Sequence, residues 1–349
     1  MNALVRGLVL VGIGALVSGG SVAQAGMLFG FDVVAGSHEF NAGQIYGRTL
    51  VAGNSTGNGG TVGSMLGRDP GNDTYVVGGN LNAGLNVQQG SVRVGGSINS
   101  SYLNMNGGGT VQSLAGFDAF DLTTPGNLQA ALQTASDYFT GLTASGTYSV
   151  DRDVLTFTAT PGSDGMAVFH IDVDVLANQN LKYALDLAGA STVVFNVTGD
   201  DLLSRLGNFQ QSFENNAAKI LWNFDTPQGA ETFINRRWYG SILMPNGDLT
   251  IDNAVIGGVY VGGNFKQKGD VTQVGHRGPA ASYPPPTPGD GRPPAGGDLP
   301  DREPPPETGD APEVATVPEP ATILVFALGG LIFAGQQWRK RRPPSVAGA

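Results

Sequence analysis

Val76-Val77-Gly78-Gly79-Asn80, Val92-Arg93-Val94-Gly95-Gly96-Ser97 and Val259-Tyr260-Val261-Gly262-Gly263-Asn264 share one pattern, with Leu50-Val51-Ala52-Gly53-Asn54 as a looser copy. Each is a β-branched run that ends in glycine and then a small polar residue. Such runs favour extended backbone. Glycine admits a left-handed or tightly bent corner, and an Asn or Ser side chain can bond the turned backbone. Gly53 and Gly79 are 26 residues apart, Gly79 and Gly96 are 17 apart. One coil of a parallel β-solenoid uses about this many residues. Ser91-Val92-Arg93-Val94 and Ser97-Ile98-Asn99 read as two faces of one coil. The expected fold is mainly β, a right-handed parallel β-solenoid.

Outward from these repeats, one helix is expected to pack along the solenoid. Thr124-Pro125 supplies an N-cap and first turn, and Leu128, Leu132, Ala135, Phe139 and Leu142 recur at helical spacing. Gly141 or Gly146 ends it. Strand-like runs follow at Thr147–Val150, Leu155–Thr160, Met166–Val175 and Ser191–Val197. Asp172-Val173-Asp174-Val175 alternates acid and apolar residues as a half-exposed strand does.

Composition narrows the function classes. The 349 residues include 54 glycines without a collagen-like period, so glycine serves turns and bulges. There is no cysteine, hence no disulfide framework and no thiolate metal site. Residues 26–316 hold 14 of the 19 basic and 28 of the 29 acidic residues, a net charge of −14. That balance disfavours nucleic acid and other polyanions. His38, His170 and His276 are too scattered for metal-ligand spacing, and His170 reads as a packed strand residue. No P-loop and no G-x-S-x-G elbow occurs. Asp151/Asp153, Asp172/Asp174 and Asp200/Asp201 are paired acids, read as solvated carboxylates rather than a Ca²⁺ site. Trp222, Trp238 and Tyr239 could stack on a glycan, but beside a strand they read first as core. No catalytic residue, metal site or cofactor is assigned, and the chain is expected not to be an enzyme.

The two ends are targeting segments. Arg6, the apolar run Leu8–Val17 and the triplet Ala23-Gln24-Ala25 make a secretory signal peptide over residues 1–25, with Ala23 and Ala25 at the cleavage site. Residues 26–275 form the folded domain. Residues 276–316 are a linker: 12 prolines fall within 279–312, a composition that stays extended. Val317-Pro318-Glu319-Pro320 then precedes the uncharged run Ala321–Ala334, and Trp338 is followed by the basic stop-transfer cluster Arg339-Lys340-Arg341-Arg342. Basic residues after an apolar span place the tail, 343–349, in the cytoplasm.

This ending resembles the PEP-CTERM sorting signal over residues 317–342. The resemblance implies an exosortase as processing partner, a transient stay in the inner membrane, and a Gram-negative host that makes exopolysaccharide. The middle of the chain resembles the choice-of-anchor A domain. Phe29-Gly30-Phe31-Asp32-Val33-Val34, the glycine-rich coils, the helix, Val193-Val194-Phe195-Asn196-Val197, Ile220-Leu221-Trp222-Asn223-Phe224 and Gly240–Asn246 carry that likeness. Relative to that pattern the opening is short before Phe31, and Ser55–Gly71 looks like a looped insertion. The family implies an extracellular structural or adhesive role and defines no active site. The ending from Gly240 to Val261 is also similar to the last coils of bacterial ice-binding β-solenoids. Two functions are therefore carried forward. One is an exported structural or adhesive protein of the cell surface or biofilm matrix, with exopolysaccharide or other surface proteins as partners. The other is a polysaccharide- or ice-binding protein on the same scaffold. Regular Thr-x-Thr rows would favour ice, and only Thr156–Thr158 and Thr158–Thr160 fit. The closing run Val259–Asn264 is expected to pair with the strand at Thr49–Gly53, so that the last coil covers the first.

Overall fold

A computed structural model describes residues 28, 30–67, 72–115, 117, 120–199 and 206–272. The expected signal peptide, linker and sorting motif, the apolar run Ala321–Ala334 and the basic cluster lie outside them. Among the described residues no helix is long and apolar enough to cross a membrane.

The fold is mainly β with parallel sheets. A first block comprises β1 (Val33–Phe40), β2 (Gln44–Ile45), β3 (Thr49–Val51), β4 (Ser55–Thr56), β5 (Gly60–Val62), β6 (Asp73–Val77), β7 (Leu85–Val87), β8 (Ser91–Val94), β9 (Leu103–Met105) and β10 (Val111–Ser113). Helix α1 (Pro125–Thr140) follows. The second block is β11 (Thr147–Asp151), β12 (Val154–Thr158), β13 (Met166–Asp172), β14 (Lys182–Asp186), β15 (Thr192–Thr198), β16 (Asn208–Phe209), β17 (Ile220–Asp225), β18 (Glu231–Ile234), β19 (Trp238–Tyr239), β20 (Ser241–Met244), β21 (Asp248–Ile251), β22 (Val255–Ile256), β23 (Val259–Gln267) and β24 (Val271–Thr272). Other helical segments are three or four residues long.

The main sheet runs β10-β8-β6-β3-β1-β23-β20-β17-β15-β13. All four repeat runs fall in it, at β3, β6, β8 and β23. A seven-stranded sheet, β19-β22-β24-β2-β5-β7-β9, forms a second side of the coils, and β11-β12-β14-β16 a separate sheet. In that separate sheet β11 and β12 pair antiparallel. Chain order explains the stacking. The described strands start with β1 in the middle of the main sheet and step outward to β10. The chain then crosses through α1, restarts at the far edge with β13, and steps back to β23, which pairs β1 over Val33↔Val259 to Phe40↔Gln267.

The expected closure of last coil on first therefore occurs, but one coil away from where the sequence reading put it. β1 lies between β23 and β3, with Ala35 paired to Val51 on one side and to Val261 on the other. Val51 and Val261 are thus two strand spacings apart, roughly 10 Å. The missed coil had a visible signal, since Val33-Val34-Ala35-Gly36-Ser37 is itself a fifth copy of the repeat. Ser55–Gly71 is likewise not simply an insertion, because β4 and β5 are regular parts of the second coil.

The repeat glycines are required by close approach and not by handedness. A Cβ on Gly36 would lie 2.0 Å from the Gly262 carbonyl oxygen, and one on Gly262 would lie 1.9 Å from that of Pro245. The next small polar residues stitch the corner: Asn80 N–H donates to Asn54 Oδ1, Ser97 N–H to Asn80 Oδ1, and Asn264 N–H to Asp248 Oδ1. The run Met166–Val175 is not one strand. β13 stops at Asp172, whose carboxylate accepts from Asp174 N–H and caps the short helix Val173–Leu176. An aspartate so placed satisfies a free helix donor and ends the strand locally.

Two cores result. Inside the coils, aliphatic residues of the first block give way to aromatic ones in the second, where Phe195 stacks on Trp222 at 4.1 Å. Outside the main sheet, α1 buries Leu128, Leu132, Ala135 and Phe139 against Val34, Leu50, Val76, Val168, Val194, Leu221, Leu243 and Tyr260. The end of the helix is fixed by amides, Asn196 Nδ2 donating to the Phe139 carbonyl and Asn223 Nδ2 to that of Ser136.

Candidate functional site

Helix α1 covers one side of the coil stack, so the other sides carry whatever the domain presents. Strand pairing sets their outward residues in rows. Thr250, Lys266, Glu39 and Thr56 are successive partners, and Asn82 and Asn99 continue the row. Gln44, Thr61, Asn86 and Asn104 form a second row in the seven-stranded sheet. Parallel pairing repeats each row about every 4.8 Å. Within the rows the amides bond along the stack, Asn99 to Asn82 at 3.0 Å and Asn104 to Asn86 at 2.7 Å. Lys266 and Glu39 form an ion pair at 3.0 Å across the β1–β23 seam. The first block thus shows half-exposed to exposed amides and hydroxyls, groups that match a hydroxyl-rich partner.

Below the surface row lies a buried polar chain. His38 is fully buried between the rings of Phe40 and Phe265. Gln267 Nε2 donates to the Gln44 and Gly269 carbonyls, which leaves its Oε1 to accept from His38 Nε2. His38 Nδ1 then accepts from the Tyr75 hydroxyl, and Tyr75 accepts from Ser55. The bond that His38 Nδ1 accepts requires a neutral imidazole, whereas the one from Nε2 to Gln267 does not. Burial lowers the His38 pKa from 6.5 to about 4, opposed by the Gln267 bond. The unfolded chain therefore binds the proton first as pH falls. The stabilisation is complete above pH 6.5 and is lost on descent toward pH 4, a difference of roughly 3 kcal/mol. Denaturant titrations at pH 6.5 and 4.5 should show wild type losing about 2 kcal/mol more than His38→Gln over that interval. Equal losses would show that His38 does not couple folding to pH.

The sorting residues Val317, Pro318, Glu319 and Pro320, the basic residues Arg339, Lys340, Arg341 and Arg342, and Ala23 and Ala25 lie outside the described residues, as do Asp200 and Asp201. Asp151 and Asp153 flank the tight turn at Arg152, and Asp153 pairs with Lys182. Among the described residues no group of three or more His, Asp or Glu side chains could hold a metal ion. His170 departs from its expected packing: its side chain is exposed and Nε2 bonds the Leu142 carbonyl. Trp222 and Trp238 are fully buried and serve the core, with Trp222 Nε1 donating to the Tyr239 carbonyl. The Asn–Thr rows were missed in the sequence because each member sits in a different coil.

A mainly β stack of parallel strands with polar rows on its free sides is a scaffold suited to display and adhesion. The chain belongs to the family described as "Putative Ice-binding-like adhesive domain", which matches residues 25–273. Among solved structures it is similar to the DUF3494 domain of ice-binding protein 1 from Shewanella frigidimarina. The two share 12 % identity with a TM-score of 0.27, over 71 % of this chain and 96 % of that one. No curated protein matches the chain.

Proposed function

We propose that this chain is an exported adhesive and structural protein of the bacterial surface or extracellular matrix. The observation that carries this reading is the pair of outward rows, Thr56-Asn82-Asn99 and Gln44-Thr61-Asn86-Asn104, on sides of the stack that α1 leaves open. Amides and hydroxyls at strand spacing can bond the hydroxyls of an exopolysaccharide without a deep pocket. Membership of an adhesive-domain family supports the same reading. The signal-peptide and PEP-CTERM resemblances supply the route: export, transient anchoring in the inner membrane of a Gram-negative cell, and processing by an exosortase. No catalytic step is part of this proposal.

The route has a direct test. Pro318→Ala/Glu319→Ala should leave the precursor uncut in the inner-membrane fraction, read by fractionation and mass spectrometry of the C-terminus. Release of that variant at the wild-type rate would leave the segment a plain anchor.

Ice binding is the second reading, favoured by the family description and by the regular spacing of the rows. Asn outnumbers Thr in them, with Thr56 and Thr61 on different rows. Inhibition of ice recrystallisation by the full chain, lost in Asn82→Asp/Asn99→Asp, would favour ice. Retention on exopolysaccharide, lost in the same variant, would favour adhesion.

A further inference from the structure

The seven-stranded and four-stranded sheets do not join. β16 is the last strand of its four-stranded sheet and β19 the last of the seven-stranded sheet, and no strand pairing joins them. A cleft of about 300 Å³ opens at this break, the lower end of the usual range for small-ligand sites. Arg236 spans it, donating from Nη1 to Asn208 Oδ1. Arg236 Nε is buried and has no hydrogen-bond partner. Arg237 beside it is exposed. Among the described residues neither guanidinium forms an ion pair, and no carboxylate lines the cleft. In a segment of net charge −14, these are two adjacent cations at one cleft.

The rest of the lining narrows the ligand. Asn208, Asn235 and Asn253 supply amides, and Phe209 and Tyr239, packed into the aromatic core, close the cleft from behind. A guanidinium fork matches a carboxylate in two parallel bonds. Amides match the ring hydroxyls of a sugar. Inorganic phosphate would use the arginines and leave the amides idle. A long polyanion would be repelled by the net charge of −14 on residues 26–316. We propose that this break is a subsite for a single uronic acid residue at the end or branch of a glycan. It deepens the adhesive reading above and rests on it.

The test is calorimetric titration of the full chain with a glucuronic-acid-terminated oligosaccharide, its glucose-terminated counterpart and inorganic phosphate. The acidic oligosaccharide should bind, at least ten-fold more tightly than the other two, and more weakly as salt rises. Arg237→Gln should weaken it ten-fold or more with an unchanged melting temperature, since Arg237 is exposed, and Arg237→Lys should restore only part. No binding of the acidic sugar, equal binding of the neutral sugar or of phosphate, or an unaffected Arg237→Gln would each overturn the assignment. Those outcomes are separate from the adhesive reading, whose failure would appear as a mature chain absent from the surface and matrix fractions.

Discussion

A chain truncated after Asn235 should lose the fold of β1–β10 as well as the strands it lacks. The deletion removes β23 and β24, which pair with β1 and β2. It exposes the row of Val33, Ala35 and Phe40, all fully buried in the intact chain. It takes Gln267 from His38, leaving a buried ring nitrogen unpaired, and takes Leu243 and Tyr260 from under α1. Each buried apolar side chain so exposed costs about 1.5–3 kcal/mol. Together with the unpaired His38 nitrogen, the sum is comparable with the roughly 5–15 kcal/mol by which a domain is stable. Circular dichroism should show a broad, non-cooperative melt, and hydrogen exchange should show β1, β3 and β6 unprotected. A truncated chain that keeps those amides protected would mean that the first block folds alone. In the intact chain, Ala35→Cys with Val261→Cys should crosslink on oxidation, because these residues are direct partners. Val51→Cys with Val261→Cys should not, because β1 separates them.

Leu132→Asp should cost about 3–5 kcal/mol of unfolding free energy. Leu132 is fully buried, and its cluster gathers side chains from eight strands spread over both blocks. A carboxylate there meets no cation, and the helix cannot turn it to solvent without losing the amide bonds of Asn196 and Asn223. Ala130→Asp, on the exposed face of the same helix, should change stability by no more than about 0.5 kcal/mol. A Leu132→Asp penalty below about 1 kcal/mol would mean that the helix does not hold the two blocks together.

The coils were legible because their corners are chemical. A glycine forced by a carbonyl 2 Å from its missing Cβ must appear in the sequence, and the following Asn or Ser bonds the next coil. The helix was legible for a similar reason, its apolar residues recurring at the spacing that faces one sheet. The exact seam was not. Val33-Val34-Ala35-Gly36-Ser37 carries the repeat, but its partners lie 16 residues ahead and 226 residues away, and local sequence does not choose between them. The short helix at Val173 was hidden because Asp172 can face solvent in a strand or cap a helix, and only the bond to Asp174 decides. The cleft was invisible for a third reason. Asn208, Arg237 and Asn253 come from three coils, and what joins them is a missing strand pairing.

The described chain ends on β24, which is held between β22 and β2 in the interior of a seven-stranded sheet. Tension carried by the residues after Thr272 therefore enters the stack at its waist. A protein pulled at a terminal coil can be peeled one coil at a time, each step needing only a few bonds to break. Here the load meets strands on both sides at once and passes next into β23, nine residues long and paired to β1 along most of its length. Mechanical failure should come late and as a single event.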